Sequence, residues 1–156
     1  MVRSARLEDI PEIARLIRGL AEYERLSGQV SLTEERLREH LFGPRPYAEA
    51  LLAEEGGRPV GFALFFHSYS TFLGKPGIFL EDLFVEPEHR RKGHGRALLR
   101  AVARIAAERD CGRLEWSVLD WNENAIAFYR SLGAEPLDDW TSFRLTGEPL
   151  HALSRK

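Results

Sequence analysis

Apolar side chains recur at helical spacing near the start of the chain and at strand spacing after it. Six apolar residues between positions 10 and 21 fall on one stripe, which predicts an amphipathic helix. A shorter helix is predicted between Thr33, a favourable N-cap, and Gly43, a stop signal. The runs YAEALLAEE and PVGFALFFHSYS then flank a Gly-Gly pair, and this arrangement predicts a β-hairpin.

The second half of the chain alternates strand and helix patterns. GIFLEDLFV (77–85) is apolar on both pleat faces and predicts a central strand, with Ile78, Leu80 and Phe84 expected on one face. A glycine-containing loop, an amphipathic helix and the strand RLEWSVL follow, and this order predicts a parallel unit with a right-handed crossover. NAIAFYRSLGA predicts a further helix and TSFRLT a late strand. The predicted fold class is mixed α/β.

Composition limits what such a chain can be. Its 156 residues, 44% of them hydrophobic, suffice for one core, so we predict a single domain over residues 1–156. A net charge of −2 argues against general nucleic-acid or membrane binding. One cysteine permits no internal disulfide, and no leader or membrane-spanning stretch is evident, so we expect a cytoplasmic protein.

Positive charge is concentrated in one loop, EHRRKGHGRALL (88–99), directly before an apolar helix. Gly93 and Gly95 would let the backbone approach a ligand, and the helix start offers unpaired N–H groups, which together favour phosphate. A solvated turn with ordinary surface arginines is the alternative. No P-loop string occurs, and Leu98 occupies the third glycine position of a dinucleotide fingerprint, so those two nucleotide sites are disfavoured.

Four further motifs give this loop a family context. RRKGHG resembles the R/Q-x-x-G-x-G/A pyrophosphate loop of the GNAT superfamily of acyl-CoA N-acyltransferases. LAEYERL, LGK, FLEDLFV and DWNENAIAFYRSLGA resemble, in that order, segments of its spermidine/spermine N-acetyltransferase branch. The resemblance implies a mixed, mostly antiparallel sheet with splayed central parallel strands flanked by helices, and it implies a homodimer.

The resemblance also implies where acetyl-CoA binds. Amides between Arg91 and Arg96 would hold its pyrophosphate, and the pantetheine would lie between the splayed strands. Asn122 and Tyr129 are seven residues apart, so two helical turns place both on one helix face. By resemblance, Asn122 would bind pantetheine and Tyr129 would reach the thioester sulfur as general acid. The predicted coenzyme-binding residues are Leu83, Phe84, Val85, Arg90, Arg91, Lys92, Gly93, His94, Gly95, Arg96, Asn122 and Tyr129.

Two of these assignments have plain structural alternatives. Asn122 is equally suited to be an ordinary helix N-cap. Tyr129 could be a core aromatic residue whose hydroxyl finds a partner. Cys111 is placed at the end of its helix, where a thiolate is disfavoured, so we expect direct transfer in a ternary complex rather than an acyl-enzyme. The five histidines show no metal-ligand spacing, and no metal is predicted.

Acetyl transfer to an amine requires a neutral nucleophile and therefore a proton acceptor. Glu81 is predicted to be that catalytic base, because burial within an apolar strand would raise its pKa. Glu81 and Asp82 are adjacent and should point to opposite faces, so both can serve one site only if a bulge redirects one. The alternative is a carboxylate pair satisfied by arginine or by backbone amides.

The acceptor is expected to be a small cationic amine: a diamine, a polyamine or a basic amino acid. The resemblance places Tyr23, Glu24, Phe72, Glu81 and Asp82 on the acceptor side. Tyr23 and Glu24 could instead form a solvated helix end. SYSTFLGK carries Phe72 where polyamine enzymes have an Asp-Pro-Trp-type segment, which favours a shorter diamine or a basic amino acid. A protein lysine or N-terminal acetyltransferase and a non-catalytic acyl-CoA sensor stay open as alternatives.

Overall fold

A computed structural model describes residues 1–155, which contain a five-stranded sheet and five α-helices. The strands are β1 Val2–Ser4, β2 Glu49–Glu55, β3 Arg58–Ser70, β4 Lys75–Val85 and β5 Leu114–Trp116. The helices are α1 Ile10–Tyr23, α2 Glu34–Phe42, α3 His94–Glu108, α4 Glu123–Ser131 and α5 Gly147–Ser154. Short 3-10 turns cover Leu7–Asp9, Ser27–Gln29 and Pro87–His89. Contacts divide the chain into two compact units, Met1–Ser117 and a second that begins at Val118.

The sheet order is β1-β2-β3-β4-β5, and each strand pairs with its neighbour in sequence. The first three pairings are antiparallel and the last, β4 with β5, is parallel. The predicted hairpin, parallel unit and α/β class are therefore confirmed. β5 pairs only with Ile78–Leu80 although β4 continues to Val85, so the parallel ladder ends halfway along β4.

A β-bulge interrupts β4 at Glu81. Leu64 of β3 lies opposite Asp82, and the next residue, Phe65, lies opposite Leu80, so Glu81 has no register partner. Because opposed residues share a face, Leu80 lies with Phe65 on one face and Asp82 with Leu64 on the other. The expectation that Leu80 and Phe84 share a face is therefore wrong, since the extra residue reverses the alternation beyond it.

Each face of β4 meets a different helix. Phe84 packs with Ile13 and Leu16 of α1 in a buried cluster. A Cβ at Gly19 of α1 would lie 3.1 Å from the Phe84 ring, so glycine allows this close approach. The adjacent Val85 is turned toward the start of α3, and the buried residues of α3 form one stripe, which confirms the predicted amphipathic helix. That stripe comprises Leu98, Leu99, Val102 and Ala106.

The second unit differs from the sequence prediction in its last part. Helix α4 is confirmed, and Gly133 follows it with a φ of 91°. Residues 141–146 form no strand, so the strand predicted for TSFRLT is wrong. Its two large apolar side chains, Phe143 and Leu145, are exposed, so a strand would bury little. Helix α5 was not predicted from the sequence. Strand β5 has three residues and is shorter than the predicted strand RLEWSVL.

Candidate functional site

Two carboxyl groups are drawn together on the α1 face of the sheet. Asp82, beyond the bulge, is half-buried, and its pKa is raised to about 7 by burial first and then by the nearby charges of Glu81 and Glu24. Glu24 follows the C-terminal end of α1, and burial raises its pKa as well. The sequence placed both residues on the acceptor side, and the structure brings them within electrostatic reach of each other.

Glu81 lies differently from its prediction. Its side chain is exposed, so the burial that was to make it a base is absent. As the extra residue of the bulge, Glu81 is outside the alternation that would otherwise turn it inward. The buried environment predicted for Glu81 belongs to Asp82.

Arg90 joins the loop after β4 to helix α1. Its guanidinium lies 4.4 Å from the centre of the Tyr23 ring and 5.6 Å from that of Phe84, and its Nε donates to the Val85 carbonyl at 2.9 Å. The sequence predicts Tyr23 on the amine-acceptor side of the site and Arg90 among the coenzyme-binding residues. The structure places Arg90 against the acceptor-side residue, and a phosphate contact of Arg90 stays a prediction.

A cavity of about 390 Å³ opens beside this stack. It is lined by α1 from Arg15 to Tyr23 and by the end of β4 and the following turn from Phe84 to Glu88. Three glutamates, Glu22, Glu86 and Glu88, contribute to its wall. Arg15, in the same wall, pairs with Glu86 at 2.8 Å, so Glu22 and Glu88 supply the negative charge that suits a cation.

The loop from Arg90 to Gly93 turns its backbone into α3 through left-handed conformations. Arg91 has a φ of 64° and Gly93 a φ of 87°. The first helical bond of α3 runs from the Ala97 N–H to the Gly93 carbonyl, so the amides of His94 and Gly95 precede the hydrogen-bonded part of the helix. Such a run of amides at the positive end of a helix is typical of anion sites.

Gly95 has no evident structural reason to be glycine. A Cβ built at Gly95 would meet only Val85 Cγ2, at 3.9 Å, which is ordinary contact, and no positive φ is present. Gly93, in contrast, is required by its backbone conformation. The small residue at position 95 therefore leaves room for a ligand above the helix start.

One carboxylate outside the loop contacts a lysine within it and the histidines on either side of it. Glu55, at the end of β2, accepts from Lys92 Nζ at 2.7 Å and lies 2.9 Å from His89 Nδ1 and 3.1 Å from His94 Nε2. These contacts lower the pKa of Glu55 to about 2. Lys92 and His94 are thus directed toward the hairpin. The sequence analysis missed Glu55, because 34 to 39 residues separate it from its partners.

These features agree with what comparison with known proteins shows. The sequence profile of the acetyltransferase (GNAT) family matches residues 13–134. The chain belongs to the GNAT acetyltransferase family. This GNAT protein is 42% identical to the thialysine N-epsilon-acetyltransferase of Bos taurus, over 100% of this chain and 98% of that one. It is 34% identical to the L-ornithine N5-acetyltransferase of Arabidopsis thaliana, over 99% and 87% of the two chains.

The fold of this GNAT protein is shared by a solved structure. An integron cassette protein from the mobile metagenome of V. cholerae superposes with a TM-score of 0.83 at 24% identity, covering 100% of this chain and 98% of that one. The resemblance drawn from the motifs is confirmed, and the chain is an N-acetyltransferase. None of the helices in residues 1–155 has the length and apolar run needed to cross a bilayer.

Of the remaining site residues predicted for this GNAT protein, Phe72 belongs to the first compact unit, and Asn122 and Tyr129 belong to the second. Asn122 caps α4 by accepting from the Ala125 N–H at 3.3 Å, so the capping alternative is confirmed. Tyr129 is half-buried in the same helix, with its ring centre 5.6 Å from that of Phe128. Phe72 is fully exposed in the turn between β3 and β4. The catalytic and binding roles of these three residues stay predictions.

One group of side chains has metal-like spacing. Glu86, Glu88 and His89 each place a ligand atom within 4.8 Å of the others. Glu86 Oε2 already accepts from Arg15 at 2.8 Å, and His89 Nδ1 contacts Glu55. We assign no metal to this group, and the absence of a metal requirement stays a prediction.

Proposed function

We propose that this protein transfers the acetyl group of acetyl-CoA to a small cationic amine, and specifically to the side-chain amine of a basic amino acid. The observation that carries the proposal is the half-buried Asp82, with a pKa near 7, beside Glu24. A carboxyl group in this state both attracts an ammonium and accepts a proton at neutral pH. The names of relatives acting on thialysine and ornithine support this acceptor class.

The coenzyme end of the proposal depends on main-chain donors. The amides of His94 and Gly95, at the start of α3, would bind the pyrophosphate, and Gly95 would let it approach. The parallel ladder ends at Leu80, and the Leu83–Val85 stretch beyond it would supply an N–H to the thioester carbonyl. Arg90 and Arg91 would add charge around the loop.

Proton removal is the step that Asp82 would perform. An alkyl ammonium of lysine type has a pKa near ~10.4, so almost none is free base at pH 7. Glu24 would hold the ammonium, and Asp82, ionised at and above its pKa of about 7, would take one of its protons so that the nitrogen lone pair can attack. The second proton that the nitrogen loses on forming the amide would balance the departing thiolate, which leaves as the CoA thiol. Glu81, next to Asp82 but exposed, is the competing base and is tested beside it.

Departure of the thiolate would be assisted by Tyr129 of α4, whose hydroxyl would hydrogen-bond the sulfur. Full proton transfer from a tyrosine of pKa ~10 to a thiolate whose thiol has a pKa of ~8.5 is uphill by roughly 2 kcal/mol, so the hydrogen bond itself would matter most. Tyr129→Phe is expected to lower kcat at least tenfold and to leave the dissociation constant of acetyl-CoA within about twofold. Equal kcat in the variant would remove Tyr129 from the chemistry.

The acceptor is identified by measuring CoA release from acetyl-CoA with a panel of amines. The panel contains thialysine, ornithine and lysine, the diamine putrescine, the polyamine spermidine and a lysine-containing peptide. We expect the highest kcat/KM with the free amino acids. Putrescine and spermidine test the diamine and polyamine alternatives, and the peptide tests protein acetylation. Acetyl-CoA binding without CoA release on any amine would indicate a sensor and overturn the proposal.

The dimer follows from the resemblance only, whereas the location and the exclusion of nucleic-acid and membrane partners follow from composition and net charge. We propose a homodimer located in the cytoplasm, with no nucleic-acid or membrane partner. Light scattering coupled to size exclusion checks the dimer, because a single species of twice the 17.8 kDa chain mass is expected. A monomer at micromolar concentration would contradict it.

A further inference from the structure

The loop of residues 89–94 that leads into α3, here called the phosphate loop, lacks the usual local supports for its conformation. The N-cap of α3 is Gly93, which has no side chain to accept from the first-turn amides, and no acidic residue lies in that turn. Arg91 adopts a left-handed φ of 64°, a conformation that disfavours any residue with a Cβ. Contacts from outside the loop must therefore hold this backbone in place.

Glu55 provides such contacts from across the sheet. Its two carboxylate oxygens meet His89 before the turn into α3, Lys92 within that turn and His94 at the first position of α3. An exposed ion pair taken singly contributes little. Here one carboxylate joins three side chains across six residues of loop, so moving any part of the loop disturbs several contacts at once. The adjacent Glu54 faces away and pairs with Arg3 at 2.8 Å.

We propose that Glu55 is a positioning residue for the coenzyme, which holds the loop so that the amides at the start of α3 converge on the pyrophosphate. This inference rests on the proposed function, since it assumes that the loop binds that group. Glu55 touches no reacting atom in this role. It acts through Lys92, His89 and His94.

Electrostatics alone predicts the opposite effect of removing Glu55. A carboxylate near the loop repels an anionic pyrophosphate and neutralises part of the charge of Lys92. On that basis, Glu55→Gln should strengthen coenzyme binding. If Glu55 positions the loop, the same substitution should weaken binding, because the amides lose their arrangement. The sign of the change therefore distinguishes the two roles.

The test is the dissociation constant of CoA, measured by isothermal titration calorimetry for the wild type and three variants. We expect Glu55→Gln to raise that constant about tenfold. Glu55→Asp keeps the charge but is one methylene shorter, and we expect a comparable rise. Glu54→Gln, the matched control, removes a carboxylate from the same strand end and should leave CoA affinity within about twofold. Unchanged or tighter binding in Glu55→Gln would overturn the inference.

Two further readouts separate positioning from general instability. Steady-state assays should show an acetyl-CoA KM raised about tenfold in Glu55→Gln, with kcat and the amine KM within about twofold. Amide hydrogen exchange should be faster at residues 91–96 and unchanged in α1, whereas exchange raised equally in both segments would contradict positioning. A wild type that binds no CoA would refute the proposed function itself. A wild type that binds CoA while Glu55→Gln binds it equally well would refute only this inference.

Discussion

Asp82 shows how one side chain takes its chemistry from its surroundings. An aspartate in water has lost its proton well below pH 7, but burial and two neighbouring carboxylates bring this pKa to about 7. Glu81, one position earlier, is of the same chemical type and is exposed. The difference between them arises from the backbone, since the bulge turns one outward and leaves the other facing α1.

The pH dependence of the rate should therefore change when Asp82 is replaced. In the wild type, log kcat/KM for the amine should rise below about pH 7 and level off above it, since ionised Asp82 deprotonates the bound ammonium. Asp82→Asn should be at least a hundredfold slower at pH 7. Its profile should keep rising up to pH 9, because only free amine can then react.

The comparison variant is Glu81→Gln, measured under the same saturating acetyl-CoA between pH 5.5 and 9. It should retain the plateau. Loss of the plateau in Glu81→Gln together with its persistence in Asp82→Asn would assign the base to Glu81 instead.

At the scale of the elements, hydrophobic periodicity together with residues that start or stop helices predicted most helices and strands well. Helix α2 begins and ends where Thr33 and Gly43 indicated, because each signal acts within one turn of chain. The faces of β4 were predicted incorrectly beyond Leu80, since a bulge depends on pairing with β3 and leaves no local signal. The strand predicted for TSFRLT was wrong for a related reason, because a short alternation of apolar and polar residues does not form a strand without a partner strand.

The cap of α2 offers a direct test of this local control. Thr33 Oγ1 accepts from the Arg36 N–H at 3.1 Å, so Thr33→Ala should lower the free energy of unfolding by about 1 kcal/mol. Thr33→Ser retains the hydroxyl and should lie within about 0.5 kcal/mol of the wild type. Urea unfolding followed by circular dichroism measures both. Equal losses in the two variants would show that the methyl group of Thr33, rather than its cap, stabilises the helix.

At the scale of the whole molecule, order along the chain carried more information than any single motif. The family was predicted from five short segments in the right sequence, each weak by itself, and the family match confirms it. The partners of the phosphate loop were not predictable in this way. Glu55 lies in an unremarkable hairpin strand, and only folding brings it to Lys92 and the two histidines.

Stability should pass through a maximum at about pH 4. The hydrogen bonds from Arg3 hold the pKa of Asp9 below its usual range, so this stabilisation exists above pH 4 and is lost as pH falls further. The contribution of Asp82 to the pH dependence of stability has the opposite sign. Its folded pKa is raised, so the folded state binds the extra proton between about pH 4 and 7, and stability declines as pH rises through that window.

Thermal unfolding from pH 3 to 9 checks this in the wild type and in Asp82→Asn. The variant should lose most of the decline between about pH 4 and 7, and at pH 8 it should be more stable by roughly 2 to 4 kcal/mol. The acid limb below pH 4 should be the same in both proteins. Parallel curves across the whole range would contradict the raised pKa.

The bulge in β4 also determines how the strand tolerates changes in length. Deleting Glu81 would leave a continuous ladder in which Leu80, Asp82 and Phe84 keep the faces they now have. Deleting Leu83 instead would turn Phe84 away from α1 and bring Val85 toward it. Loss of one residue is therefore expected to disturb the packing against α1 far more at position 83 than at position 81.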